Sequence, residues 1–237
     1  MDGPGINRTI ISFFIVLIGV SIVEVQNSQE VQAQELPGPQ SSSAGKSLLR
    51  EILETLVLTA IIFVLVNSVT GRFKIFGSSM DNTFENGQYI IVNRLAYRFG
   101  EPQRGDVVVL VPPGSPTNGF IERILGIPGE TDYIKRILGV PGDKITVVNG
   151  QLVVNGQTLS EPYIKELMNC NFGNCNEVWT LDTNEYFVLG DNRNNSTDSR
   201  RIGAIASDRI VGQVLAVYWP ISSWKLVEHY RYSSLTP

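Results

Sequence analysis

The sequence holds one histidine, His229, near its C-terminal end. That scarcity excludes a zinc site built on several imidazoles. It also argues against a Ser-His-Asp triad, because the only candidate base lies in a polar tail. Cysteine is scarce as well: Cys170 and Cys175 sit close together in the polar stretch "NCNFGNC", so a large disulfide framework is excluded. In an oxidising compartment the two would close a small loop. Two free thiols are the alternative, and no metal site is expected, since two ligands do not fill a tetrahedron. Charged residues make up 18% of the 237, low for a purely soluble domain. A net charge of -4 without a basic patch leaves no footprint for nucleic acid.

Two apolar segments come first. "TIISFFIVLIGVSIV", Thr9 to Val23, follows a short polar start with Arg8, and "VQAQ" further on offers small-residue cleavage after Ala33. Residues 1–33 therefore read either as a secretory signal or as a first transmembrane segment. Residues 34–46, "QELPGPQSSSAGK", read as a flexible linker. The second segment carries Arg50, Glu51 and Glu54 in its first turns and no charge from Leu56 to Val66. Its apolar character runs all round, not in one stripe, which predicts a transmembrane helix over 47–71 and not the core helix of a soluble protein. Lys46 and Arg50 on one side are matched by Arg72 and Lys74 on the other, so charge does not orient it.

Beyond this segment short β-branched runs alternate with turn signals: "QYIIVN", "DVVVLV", "EYFVLGD", "IVGQVLAVYW". "KITVVNGQLVVNG" is a hairpin signal with Asn149-Gly150 as its turn. The expected fold is mainly β: an antiparallel β-rich domain over residues 72–237 on an N-terminal transmembrane helix.

Three stretches stand out for chemistry. "FGSSMDNTF" places serines just after the second apolar segment, with Gly77 free to turn the backbone. In "DYIKRILGVPGD", a strand puts Tyr133, Lys135 and Ile137 on one face, so the lysine has apolar neighbours. "GDNRNNSTDSR", Gly190 to Arg200, is a dense polar loop after an apolar strand. Each has a plain alternative: a turn serine, a snorkelling lysine, a self-bonded surface loop. Together, and with so little histidine, they point to a Ser-Lys dyad. A lysine amine acts as base only when neutral. Lowering its pKa from ~10.4 to ~8 takes roughly 3 kcal/mol of differential destabilisation, and burial on an apolar strand face supplies that kind of penalty.

These residues resemble the type I signal peptidase (leader peptidase) family, membrane-anchored serine endopeptidases that remove signal peptides from exported proteins. "GSSM" resembles the nucleophile box, "RGDVVVL" the box that follows, "YIKRILGVPGD" the base box, and "GDNRNNSTDSR" matches the most diagnostic box almost letter for letter. The resemblance implies Ser79 as nucleophile and Lys135 as general base. Ser196 would hydrogen-bond the amine, with Asp198, Arg200 and Arg136 in support. The oxyanion hole would use the backbone N–H of Ser79, and a backbone group at Gly77 where some members place a serine. Phe73, Ile75, Met80, Phe84, Tyr133 and Ile134 fall where the family lines shallow pockets for an Ala-X-Ala pattern. The resemblance further implies no cofactor, preprotein signal peptides, a lipid bilayer and export machinery as partners, and a plasma or thylakoid-type membrane with the catalytic domain on its extracytoplasmic side. A catalytically silent relative that binds signal peptides is the competing expectation.

Two departures bear on this. The nucleophile box usually continues Met-X-Pro-Thr-Leu, whereas here it reads Met80-Asp81-Asn82-Thr83-Phe84. And "FIERILGIPGE" is repeated as "YIKRILGVPGD", an apparent tandem insertion at 120–132 ahead of the base strand. Only the second copy carries an amine; the first has Glu122, a weak base unless its pKa is raised.

Overall fold

The computed structural model describes residues 44–116, 132–170, 175 and 177–232, with side chains from Leu48 onward. The expectations for Thr9 to Val23, Ala33, Glu122 and most of the 120–132 insertion fall outside the described residues. The chain divides into two units at Leu48, and nearly everything described belongs to the second, Leu49–Pro237.

Helix α1, Ala44–Val69, carries the second apolar segment. Its span Leu48–Val69 is long and apolar enough to cross a membrane by length and composition. Side chains 48–66 are all exposed, so no stripe of it is turned toward a protein core. The hydroxyls of Thr55, Thr59 and Ser68 bond back to the carbonyls of Glu51, Thr55 and Val64, which hides the polar groups of the apolar stretch against the helix itself. The helix stops before Gly71 because Thr70 and Gly71 already belong to β1, Thr70–Lys74, paired with β2, Tyr89–Asn93. Asn67, the first buried residue of the helix, accepts from Arg72 of that strand at 2.7 Å.

The rest is antiparallel β structure. One sheet also contains β3, Val107–Leu110, β4, Tyr133–Gly139, β9, Glu185–Leu189, β10, Ile205–Ala206, β11, Ile210–Trp219, and β12, Lys225–Leu226. Its order is β1-β2-β11-β3-β4-β9-β10, with β12 on β11. The second sheet holds β5, Lys144–Val148, β6, Gln151–Val154, β7, Gln157–Thr158, and β8, Trp179–Thr180, in the order β7-β6-β5-β8. Asn149 and Gly150 make the expected hairpin turn, with φ of 52° and 78°, the positive pair that a type I′ turn needs. Cys170 and Cys175 are joined in a disulfide.

The register of β4 positions the site. Tyr133–Arg136 pair with Leu110–Val107 on one edge, whereas on the other edge β9 joins only from Arg136 onward. The chain leaves β9 at Leu189 and runs as the loop Gly190–Asp198 into a short helix, α2, Ser199–Ile202. Tyr133 to Lys135 thus keep one edge without a ladder partner among the described residues. On the far side of β4, the segment after β12 runs past Arg136 and β3. There Val107 N–H donates to His229 Nδ1 at 3.2 Å and Arg231 pairs with Asp106 at 2.8 Å. Burial pushes His229 below the usual imidazole range. The one histidine is a neutral acceptor in a packed tail.

Candidate active site

Ser79 lies in a tight turn that follows β1. Ile75 exchanges backbone hydrogen bonds with the Gly87–Gln88 segment, Gly77 turns the chain at φ 87°, and Asp81, Thr83 and Phe84 N–H close back on Ser78 and Met80 carbonyls. Asn82 stands at φ 92°, a value closed to proline, whose ring holds φ near about -65°. Its side chain donates to the Tyr163 carbonyl at 2.7 Å. The departure from the family's Pro is therefore built into the backbone: this turn is shaped for an asparagine.

Lys135 projects from the centre of β4 and is 3% exposed. Its Nζ is 2.7 Å from Ser79 Oγ and 3.0 Å from the Ile134 carbonyl oxygen, and it lies 5.2 Å from the centre of the Tyr133 ring. Burial pushes its pKa down to about 8, against an upward pull from Asp198 and Asp191. Once deprotonated, an amine held this close to a hydroxyl can take that hydroxyl's proton.

The loop 190–200 is locked by charge. Asp191 takes both arms of Arg136 and the hydroxyl of Thr83. Arg193 pairs with Glu161 at 2.6 Å, and Arg200 with Asp198 at 2.8 Å. Asp198 also accepts from Gly190 N–H. These pairs are nearly all buried, and bidentate, hydrogen-bonded geometry is what makes burial of such charges tolerable. The loop then reaches the turn that carries Ser79: Asn192 donates through its backbone N–H to Ser79 O and through its side chain to Ser78 O, both at 3.0 Å, and Asn195 Nδ2 donates to Ser78 Oγ at 2.7 Å. No side chain fits on Gly190, since a Cβ there would strike Ser196 and the Ser79 carbonyl.

Expectations need correction at Ser196, Gly77, Phe73 and Phe84. Ser196 Oγ is buried beside Gly190 and Ser79 but makes no hydrogen bond, so it does not hold the Lys135 amine, which is already engaged by Ser79 and Ile134. Gly77 N–H cannot serve an oxyanion, because it donates to Asn86 Oδ1 at 3.0 Å. Arg136, on the opposite face of β4 from Lys135, reaches the Ser79 turn indirectly: it pairs with Asp191, which also takes the Thr83 hydroxyl, and it stacks on Tyr163. Of the expected pocket residues, Ile75, Met80, Tyr133 and Ile134 line a cleft of about 500 Å³ together with Ser79 and Lys135. Phe73 and Phe84 lie in the core with Ile90 and Val217 instead. Asn86, Asn192 and Asn195 were missed, since an asparagine's partner depends on where a distant turn arrives.

The family model described as signal peptidase, peptidase S26, matches residues 48–219. This chain belongs to the signal peptidase S26 family. The signal peptidase IB of Staphylococcus aureus strain N315 is 33% identical over 198 residues, covering 76% of this chain and 94% of that protein. Signal peptidase I of Leptolyngbya laminosa is 30% identical over 190 residues, covering 77% of this chain and 85% of that one. A solved signal peptidase I from Enterococcus faecalis V583 covers 48% of this chain and 96% of its own, at 28% identity and a TM-score of 0.36. Membership makes the chain a hydrolase of the serine peptidase kind, and the family match takes in most of α1 as well as the cleft.

Proposed function

We propose that the chain is a membrane-anchored serine endopeptidase that removes N-terminal signal peptides from exported preproteins after small residues in an Ala-X-Ala pattern. The observation that carries this reading is the 2.7 Å approach of a buried lysine amine, with its pKa near 8, to a serine hydroxyl. Ser79 Oγ attacks the scissile carbonyl as its proton passes to Lys135 Nζ. The tetrahedral adduct collapses with cleavage of the C–N bond, and Lys135 returns the proton to the departing amine. A water then gives its proton to Lys135 and attacks the acyl ester, freeing the signal peptide's carboxylate and regenerating Ser79.

The open edge of Tyr133–Lys135 suits an extended substrate that adds as a strand, main chain to main chain. Ile75, Met80, Tyr133 and Ile134 around it leave room for small side chains. Bilayer contact is supported by α1 and by the exposed Trp219, Ile221, Trp224 and Leu226 around the end of β11 and β12. The Cys170–Cys175 disulfide favours the oxidising, extracytoplasmic side of a plasma or thylakoid-type membrane, where export machinery delivers preproteins.

The test is processing of a preprotein with an Ala-X-Ala site by detergent-solubilised full-length protein. Ser79→Ala and Lys135→Ala are each expected to abolish cleavage while the fold survives. Full activity in Lys135→Ala would reject the base, and binding of signal peptide without any cleavage by the unaltered protein would mark a silent relative.

A further inference from the structure

The Ser79–Lys135 reading leaves one reactant unserved. Acyl transfer builds negative charge on the carbonyl oxygen, and two donors commonly receive it. Ser79 N–H has no acceptor among the described residues and supplies one. Gly77 carries no hydroxyl, and its N–H is spent on Asn86. The neighbouring hydroxyl, Ser78 Oγ, lines the same cleft as Ser79 and Lys135. It accepts a hydrogen bond from Asn195 Nδ2 at 2.7 Å, and no hydrogen bond donated by it occurs among the described residues. A serine hydroxyl has one proton and two lone pairs. With the amide N–H of Asn195 on a lone pair, the proton stays available, and the hydroxyl's rotation is restrained. Two further bonds, Asn192 Nδ2 to Ser78 O and Asn192 N–H to Ser79 O, fix the backbone on which this hydroxyl sits.

We propose that Ser78 Oγ–H is the second oxyanion donor, oriented by Asn195, and that it stands in for the serine missing at position 77. Ser78 is then a catalytic residue that touches the developing oxyanion, and Asn195 a positioning residue that acts through it. This inference rests on the Ser79–Lys135 mechanism proposed above.

The test uses the full-length protein in detergent with a cleavable Ala-X-Ala peptide, a peptide aldehyde ending in alaninal, and the product peptide acid. The aldehyde forms a hemiacetal on Ser79 whose oxygen occupies the hole; the product does not. Ser78→Ala is expected to lower kcat by about 100-fold with KM changed less than about twofold. Aldehyde affinity should fall in parallel while product affinity holds. Ser78→Thr, which keeps the hydroxyl, should retain most of kcat, whereas Gly77→Ser is no remedy, because φ there is +87° and any side chain would strain the turn. A merely structural role for Ser78 would not make kcat follow the hydroxyl in this way. Asn195→Asp, which can only accept, should turn the Ser78 proton away from the cleft and cost at least as much as Ser78→Ala, while Asn195→Ala should cost less. A Ser78→Ala variant that keeps kcat within about twofold of the unaltered protein overturns the proposal. So does a loss that affects product and aldehyde binding equally. Absence of cleavage by the unaltered protein, or full activity in Lys135→Ala, would instead strike the dyad itself.

Discussion

On one face of β4, Lys135 is buried with no carboxylate hydrogen-bonded to it among the described residues, and its pKa falls to about 8. On the other face, Arg136 is as deeply buried, but Asp191 grips it with two hydrogen bonds, Gly105 and Glu228 carbonyls take a third arm, and its pKa is raised. The two side chains are adjacent in sequence, so local composition does not separate them. What separates them is the company each face keeps. A cation deprived of partners loses its proton and becomes a base; a cation supplied with them stays charged and becomes a brace. The brace in turn ties Asp191 to Thr83 in the turn that carries Ser79, so the two faces bear on the same serine from opposite sides of the strand.

The comparison breaks most visibly at Lys135. Lys135→Met should remove turnover altogether while making the protein more stable at pH 7. Below pH 8 the folded protein holds a dehydrated cation, at a cost of roughly 3 kcal/mol for a pKa near 8 against ~10.4 unfolded. The cost fades as pH climbs through that window, so the advantage of Met should shrink toward pH 10. Urea unfolding at several pH values measures it. Arg136→Ala should do the reverse. Leaving Asp191 buried and unpaired should cost about 3–5 kcal/mol, and removing Asp191 as well should recover part of that. Asn82→Pro sharpens the contrast on the Arg136 side. It demands φ near about -65° where the turn holds 92° and releases the Tyr163 carbonyl. A loss of about 1–3 kcal/mol is expected, with Asn82→Gly milder. The smallest effect concerns pH. Activity should rise as Lys135 deprotonates near pH 8. Asp198→Asn removes a charge that pulls this pKa upward and frees Arg200 to push it down, so the acidic limb of kcat/KM should move to lower pH.

Much of the architecture was legible because it depends on near neighbours. Alternating β-branched runs gave antiparallel strands, Asn149-Gly150 gave the hairpin turn, and Cys170 lay close enough to Cys175 to pair. Asp198 and Arg200 are two residues apart, and their pairing stayed local. The helix boundary was less legible. Hydropathy continues to Gly71, but the hydrogen bonds that end the helix come from β2, some twenty residues on. In the candidate site the sequence anticipated that Ser79 and Lys135 come together, but not the side chains that hold them. Whether Ser196 reaches the amine, or Asn86 captures Gly77 N–H, depends on how separate turns meet in space. The reshaped turn at Asn82 was visible as a missing proline, yet only φ shows that proline could not have stood there.

The junction of α1 and β1 has no slack: the helix ends at Val69 and the strand starts at Thr70, with Asn67 fastening the joint through Arg72 and, by its carbonyl, Arg94. Ser79 is reached within at most about 35 Å of fully extended chain from that joint. On the function proposed above, with α1 upright in a bilayer, this joint would hold Ser79 within a limited height of the lipid. Preproteins whose spacer is lengthened or shortened would then miss that plane even with an ideal Ala-X-Ala site, and the joint would act as a depth gauge for where along a chain the cut falls.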